Sequence, residues 1–378
     1  MQNTPEQRFV LLQNIDEVES IRADWERLWI YARAAYFLSF PFVRESLEII
    51  HRPQGATLCC AVAIENDRLV AVLPMVLRRR KLWKAATLCT PRAAEGCDIL
   101  IARSANSENV AAALLREFVK LARPDFLEFD FVKSGSHLDG AIRNMESVRT
   151  FQAETDKISY ADLKAELDWA SYKRSLGKSH QSEVARKTRR LQEQGKVAVD
   201  LVQGKSTTAV DWLFEQKRKW SERTNKRGNW VFSGTYCELL NELLASDPRY
   251  LMFVLKLDNE PISAKLIAIN PSSASAIIAA YDERFRRFSP GNILDEFVHK
   301  YLFDNYRDRE GRYLDIDFGP GREPFKLHWS RGNVQATRDY RIATSPWGLA
   351  RFQLQRALDR VRRRVRSSGR SSSGCAGT

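Results

Sequence analysis

The residues best suited to chemistry fall in one stretch, Tyr281 to Trp329. Tyr281 and Asp282 come first, then Arg286 and Arg287, then Ser289-Pro290-Gly291-Asn292. Pro-Gly forces a turn. Ile293, Leu294, Phe297, Val298, Tyr301 and Leu302 then recur at helical spacing. A helix that starts at such a turn offers free N–H groups and the positive end of its dipole to an anion. Arg286, Arg287, Ser289, Gly291 and Asn292 are therefore read as a binding site for the pyrophosphate of a coenzyme or for a phosphorylated substrate. An ordinary helix cap with solvated arginines gives the same pattern.

Around this turn lie groups that can move protons. Asp282, Asp317 and Glu323 are the candidate carboxylate bases. Asp317 ends the strand-like run YLDIDF beside Gly319, where it either acts as base or binds backbone groups of the turn. Tyr281 is a candidate proton donor to a leaving group. Lys326 could bind a phosphate or carboxylate of a substrate, with Glu323 and Trp329 beside it. His328 is a second choice of base, since a neutral imidazole suits the task; a structural role for it and for His299 is the other reading. Arg190 belongs to a basic run with Arg174, Lys178, Arg186, Lys187 and Arg189 that faces either a substrate phosphate or water. Trp220 and Trp230 flank the loop SERTNKRGN, either as stacking platforms for a sugar or as anchors. The five histidines lack metal-ligand spacing, and there is no nucleophile elbow or Walker loop.

The elements that position these groups repeat within the chain. Strand-like residues 56–64 and 69–77 flank the turn Glu65-Asn66-Asp67, and an amphipathic helix over 107–123 precedes the strand LEFDFV. Residues 250–318 show the same order: strands around the turn Asp258-Asn259-Glu260, a third strand over 275–281, the helix 293–306 and the strand YLDIDF. This predicts an internal duplication of one α/β (α+β) unit. Residues 168–196 read as a basic helical stretch bent near Gly177, and VQATRDYRIA reads as one closing strand. Phe37 to Phe42 reads as an aromatic turn whose rings either fill the core or line a pocket. The expected organisation is a first unit over 1–150, a second over 151–345, and a basic amphipathic helix with a low-complexity tail over 346–378. The first unit lacks the paired arginines and the Phe-Lys step, so the donor site is assigned to the second.

The motifs YDERFRRFSPGN and DFGPGREPFKLHW, in this order around a helix, resemble the BioF2-like and CelD (BcsL)-type acetyltransferases of the GNAT superfamily. That family is related to the FemABX peptidyltransferases. The resemblance is good over about residues 170–345 and looser over 10–150. It implies two tandem GNAT-like units, each a mixed, mostly antiparallel sheet flanked by helices. It also implies transfer of an acyl group from acetyl-CoA or another acyl-CoA to an amine or hydroxyl. The acceptor would be a small molecule, a sugar nucleotide or an exopolysaccharide or cell-envelope precursor. The usual GNAT phosphate loop has two glycines, whereas RRFSPGN has one. The second reading is a FemABX-like transferase that uses aminoacyl-tRNA and acts on a peptidoglycan-type precursor. The basic helix would then meet tRNA phosphates.

Composition bounds these readings. The net charge of +13 is local: residues 351–378 carry eight Arg and one Asp, and residues 172–196 carry eight Lys or Arg and two Glu. The rest is neutral, which argues against a general DNA-binding protein. The helix 346–366 could touch an anionic membrane or pack on its own domain. No apolar run is long enough to span a bilayer and the start has no signal-peptide core. Six cysteines without ligand spacing suit a reducing cytoplasm.

Overall fold

The computed structural model describes residues 7–80, 82–91, 96–104, 106–145, 150–154, 158–161, 168–204, 206–225 and 229–354. The first half begins with β1 (Gln7–Leu12), α1 (Ile15–Ser20), α2 (Arg22–Ala32) and α3 (Phe40–Glu45). It continues through β2 (Thr57–Glu65), β3 (Arg68–Arg80), β4 (Trp83–Leu88), β5 (Leu100–Ile101), α4 (Ser107–Ala122), β6 (Phe126–Lys133), α5 (His137–Arg143) and β7 (Thr150–Glu154). The second half begins with β8 (Ile158–Ala161), α6 (Trp169–Ser175), α7 (Lys178–Gln192), β9 (Val197–Val202), α8 (Thr207–Thr224), α9 (Asn229–Phe232) and α10 (Gly234–Ser246). It ends with β10 (Tyr250–Leu257), β11 (Glu260–Ile269), β12 (Ser273–Tyr281), α11 (Pro290–Asn305), β13 (Asp315–Pro320), α12 (Pro324–Trp329), β14 (Val334–Gln335) and β15 (Thr337–Ala343).

Local chemistry explains why the two halves share a plan. Both central hairpins turn on two residues with left-handed backbone, Asn66 and Asp67 in one and Asp258 and Asn259 in the other. Asn and Asp tolerate that conformation, and two such residues in a row make the tight turn that suits twisted strands. In each half a crossover helix then leads to a parallel strand. α4 does so by burying Val110, Leu114, Leu115 and Phe118, and α11 by burying Leu294, Val298 and Leu302. The bend near Gly177 is real: Gly177 has φ +90° and separates α6 from α7.

Two sheets result. The first has the order β1-β2-β3-β4-β6-β15-β7 with β5 on β3, and the second has β14-β8-β13-β12-β11-β10-β9. The run VQATRDYRIA is not one strand. It breaks after Gln335, so β14 pairs with β8 in the second sheet while β15 pairs with β6 and β7 in the first. The chain thus passes between the sheets from β7 to β8 and again from β14 to β15, so β7 and β15, which fall within the expected second unit over 151–345 or at its edge, pair in the first sheet. Helices of both halves share one apolar core, in which Trp25, Phe40 and Phe42 meet Leu213, Phe214 and Leu240. Phe37, Phe40 and Phe42 of the aromatic turn are all buried there. The last helix is described over 346–354. Its Arg351 lies over Trp83 and Phe126 and reaches Glu128, so this part packs on the first sheet. Residues 355–366 of the expected amphipathic helix lie outside the described residues.

Candidate active site

β12 and β13 run parallel over only three residue pairs, Ser273 with Asp315 to Ser275 with Asp317. Beyond them β12 stays on β11 as far as Tyr281, while β13 follows β8. The strands part, and a cavity of about 1160 Å³ opens through the gap. Ala276 to Tyr281 form its wall. Gln216, Lys217 and Trp220 of α8 border one side, and Pro290, Gly291 and Asn292 of α11 border the other.

The start of α11 is held from outside. Lys187 of α7 donates to the Ser289 hydroxyl at 2.6 Å and also pairs with Glu183. Ser289 itself has left-handed backbone, φ +50°, as the turn requires. Pro290 has no N–H, and the Asn292 and Ile293 N–H groups both donate to the Ser289 carbonyl. The Gly291 N–H is thus the open donor of this first turn.

A buried ion pair that the sequence reading did not identify lines the same cavity. Lys265 of β11 and Asp295 of α11 are 4% and 3% exposed, and the Lys265 ammonium donates to the Asp295 carboxylate. Lys265 also lies 5.6 Å from the Phe318 ring centroid. The signal was present, since a lysine in the apolar strand ISAKLIAI and an aspartate in the apolar stripe of α11 are both charges at core positions. Phe131 of β6 also lines the cavity, with left-handed backbone at φ +56°. No sequence signal marks it, because its backbone is set by a register shift between β6 and β15.

The structure gathers most of the expected site residues. Tyr281, Asp282, Arg286, Ser289, Gly291, Asn292, Glu323, Lys326 and Trp220 all border the cavity. Several are already engaged. The Asp282 carboxylate accepts from the Arg284 N–H at 2.9 Å and from its guanidinium at 2.8 and 2.6 Å. Burial pulls that carboxyl up, but the hydrogen bonds and charge of Arg284 outweigh it and hold it below the usual carboxylate range. Asp282 is thus an ionised turn cap and a weak base. Arg286 pairs with Glu283. Lys326 donates to the Pro320 carbonyl at 2.7 Å and pairs with Glu323 at 3.4 Å, so it braces the GPG turn. One face of Trp220 is covered by the Lys217 ammonium, 4.3 Å from the ring centroid. Trp230 meets Phe214 and Tyr236 edge-on, as an anchor does.

The other expected residues stand apart from the cavity lining. Asp317 accepts from the Gly319 N–H and forms an ion pair with Lys133 of the first half, each at 2.8 Å. It is a turn-binding residue that ties the halves together. Arg287 lies over Phe288 and Arg190 on the exposed face of α7. Trp329 is buried in the core below the site, between His180 and His299. The ring of His328 stacks on His180 at 4.0 Å, and burial lowers the pKa of both. Burial and nearby Lys265 hold His299 well below its usual value, hence neutral. Three histidines scattered in sequence thus surround one tryptophan. Among the described residues no group of His, Cys, Asp or Glu is placed to hold a metal ion.

Comparison with known proteins places this architecture. Residues 178–327 match the sequence model of the acetyltransferase (GNAT) domain. That span holds β12, the turn before α11, α11 and β13, so most of the cavity lining falls within the part of the chain that is similar to that domain. The crystal structure of FemX is similar with a TM-score of 0.58 at 12% identity, over 84% of this chain and 95% of that one. A conserved protein of unknown function from Bacteroides thetaiotaomicron is similar with a TM-score of 0.52 at 12% identity, over 85% and 97%. At such identity these likenesses show the fold. No curated protein matches the sequence. The chain is therefore a mixed α/β protein of two helix-flanked sheets, and residues 178–327 in its second half are similar to the acetyltransferase (GNAT) domain. Among the described residues no helix is long and apolar enough to cross a membrane.

Proposed function

We propose that this chain is a cytoplasmic acyltransferase, of the BioF2-like and CelD type, that takes an acyl group from a pantetheine thioester such as acetyl-CoA. The observation that carries this reading is the cavity where β12 and β13 part, with the first turn of α11 at its edge. A pantetheine arm threads such a gap, and the Gly291 N–H with the helix dipole meets its phosphate. The acceptor enters from the α8 side, as an amine or hydroxyl of a small molecule, sugar nucleotide or cell-envelope precursor. Its N–H or O–H attacks the thioester carbonyl and the C–S bond breaks. The Asp295 carboxylate takes the acceptor's proton, the Lys265 ammonium stabilises the oxyanion, and the thiolate leaves with a proton from Lys265 or Tyr281. Asp317 and Asp282 are left as structural carboxylates. The test is acetyl-CoA with a panel of amine and hydroxyl acceptors, read by mass of the acylated product. Absence of binding and turnover of the thioester in every form, as acetyl-CoA and on carrier-borne pantetheine, defeats this reading.

The second reading is a FemABX-like transfer from aminoacyl-tRNA to a peptidoglycan-type precursor. It is favoured by the exposed arginines of α7 beside the donor turn. Salt-dependent tRNA binding that is lost on changing Arg186 and Arg190 to Ala supports it.

A further inference from the structure

The cations around the cavity mouth divide into two sets. The inner set is engaged: Arg284 by Asp282, Arg286 and Arg223 by Glu283, Lys219 by Glu215, Lys187 by Glu183 and the Ser289 hydroxyl, and Lys217 by the Ala279 carbonyl and the Trp220 ring. The outer set is exposed: Arg186, Arg189 and Arg190 on α7, and Arg287 on the turn before α11. Among the described residues none of these four pairs with a carboxylate. α7 lies against the turn before α11, because its Lys187 is bonded to Ser289. Arg186 beside Lys187 and Arg190 nearly one turn on flank that contact from outside the cavity, while Arg189 lies round the far side of the helix. Inside, the donor turn offers the Gly291 N–H alone, since Pro290 has none and the next two N–H groups are used.

This distribution does not suit free coenzyme A, whose diphosphate and 3′-phosphate need several donors close together. It suits one phosphodiester at Gly291 and a larger acidic partner outside. Resting on the acyl-transfer reading above, we infer that the thioester is presented by an acidic carrier protein, its phosphopantetheine arm in the cavity and one of its helices against α7. α7 has 15 residues and so is about 22 Å long, the scale of one helix of a small domain. Glu183, Glu193 and Glu283 interrupt the basic face, which suits a patterned protein surface better than a continuous phosphate backbone. The charges set encounter and register, and the arm sets the chemistry.

The test compares four probes on the full chain at low and high salt. They are an acidic acyl carrier protein bearing acetyl-phosphopantetheine, acetyl-CoA, acetyl-pantetheine and an aminoacyl-tRNA. The expected result is that the acetyl-carrier binds tightest and that its affinity falls with salt. The variant Arg186→Glu/Arg190→Glu, shown to be folded by circular dichroism, should weaken it about tenfold and leave its preference over acetyl-CoA correspondingly smaller. If acetyl-CoA or acetyl-pantetheine is consumed and the carrier is neither bound nor used, the carrier proposal fails and acyl transfer stands. If only the tRNA is bound, or no thioester is bound or consumed, both fail.

Discussion

The molecule holds two versions of the same strand pair, and among the described residues one borders a far larger cavity than the other. In the first sheet β4 and β6 run parallel from Ala85 with Phe126 to Thr87 with Glu128, as β12 and β13 do in the second. Beyond that point the first pair encloses about 200 Å³ and the second about 1160 Å³. The outer neighbours, β15 on β6 and β8 on β13, take equivalent places, so the difference lies in the side chains at the gap, where Arg341 bonds Asp130 and Arg351 reaches Glu128. His51 and Arg78 hydrogen-bond across the remaining space. On the second sheet the neighbour of β13 is β8, and the gap keeps a buried Lys–Asp pair at its edge. A duplicated scaffold thus carries two gaps of unequal size, and the proposed chemistry uses the larger.

Substitutions at the larger gap should break this contrast most. Lys265→Met leaves Asp295 buried without its partner and should destabilise by about 3–5 kcal/mol in urea unfolding. Lys265→Met/Asp295→Leu should recover most of that loss while abolishing acyl transfer. A stable, fully active double variant would remove the pair from the mechanism. At the smaller gap, Arg351→Ala strips Glu128 of its ion pair and Trp83 of its cover. About 2 kcal/mol of stability should go, with donor binding unchanged by calorimetry.

The pH dependence sharpens the comparison next, because each gap has its own neutral histidine. Burial and then the Arg78 charge lower His51 to about 3 in the folded chain, whereas the unfolded chain takes up that proton near 6.5. Stability from neutral His51 is therefore complete above about pH 6.5 and is lost as pH falls toward 3. At pH 5 the loss should be about 2 kcal/mol, and His51→Gln should flatten that part of the curve. His299 under the larger gap shifts in the same direction. The smallest effect is expected at Gly291→Ala. A Cβ there meets nothing closer than Tyr281 Cδ1 at 4.0 Å and the N–H is kept, so stability and donor affinity should change by less than about 0.5 kcal/mol. A large loss of affinity would mean that the donor packs directly on that Cα.

Much of the fold was legible because its signals are local. The Asx-rich hairpin turns, the α4 stripe, the break at Gly177 and the SPGN helix start each depend on a few adjacent dihedrals. The duplication could be read from their order alone. The site was legible as a neighbourhood and less so in its roles. Asp282, Lys326 and Trp220 do border the cavity, but Arg284, the GPG carbonyls and Lys217 occupy them. Asp317 was legible as a strand-end carboxylate, but its partner Lys133 is 184 residues away.

By itself the sequence determined the turns, the helix starts, the repeated unit and the SPGN turn that opens α11. These follow from backbone propensity and apolar periodicity, which act within a few residues. The tertiary structure alone decided that β15 returns to the first sheet and that Lys265 faces Asp295. It also decided that three histidines close around Trp329 and that one gap holds a far larger cavity than the other. Those outcomes depend on which distant side chains share a desolvated space, and the stability of a buried charge or ring depends on the partners that packing brings to it.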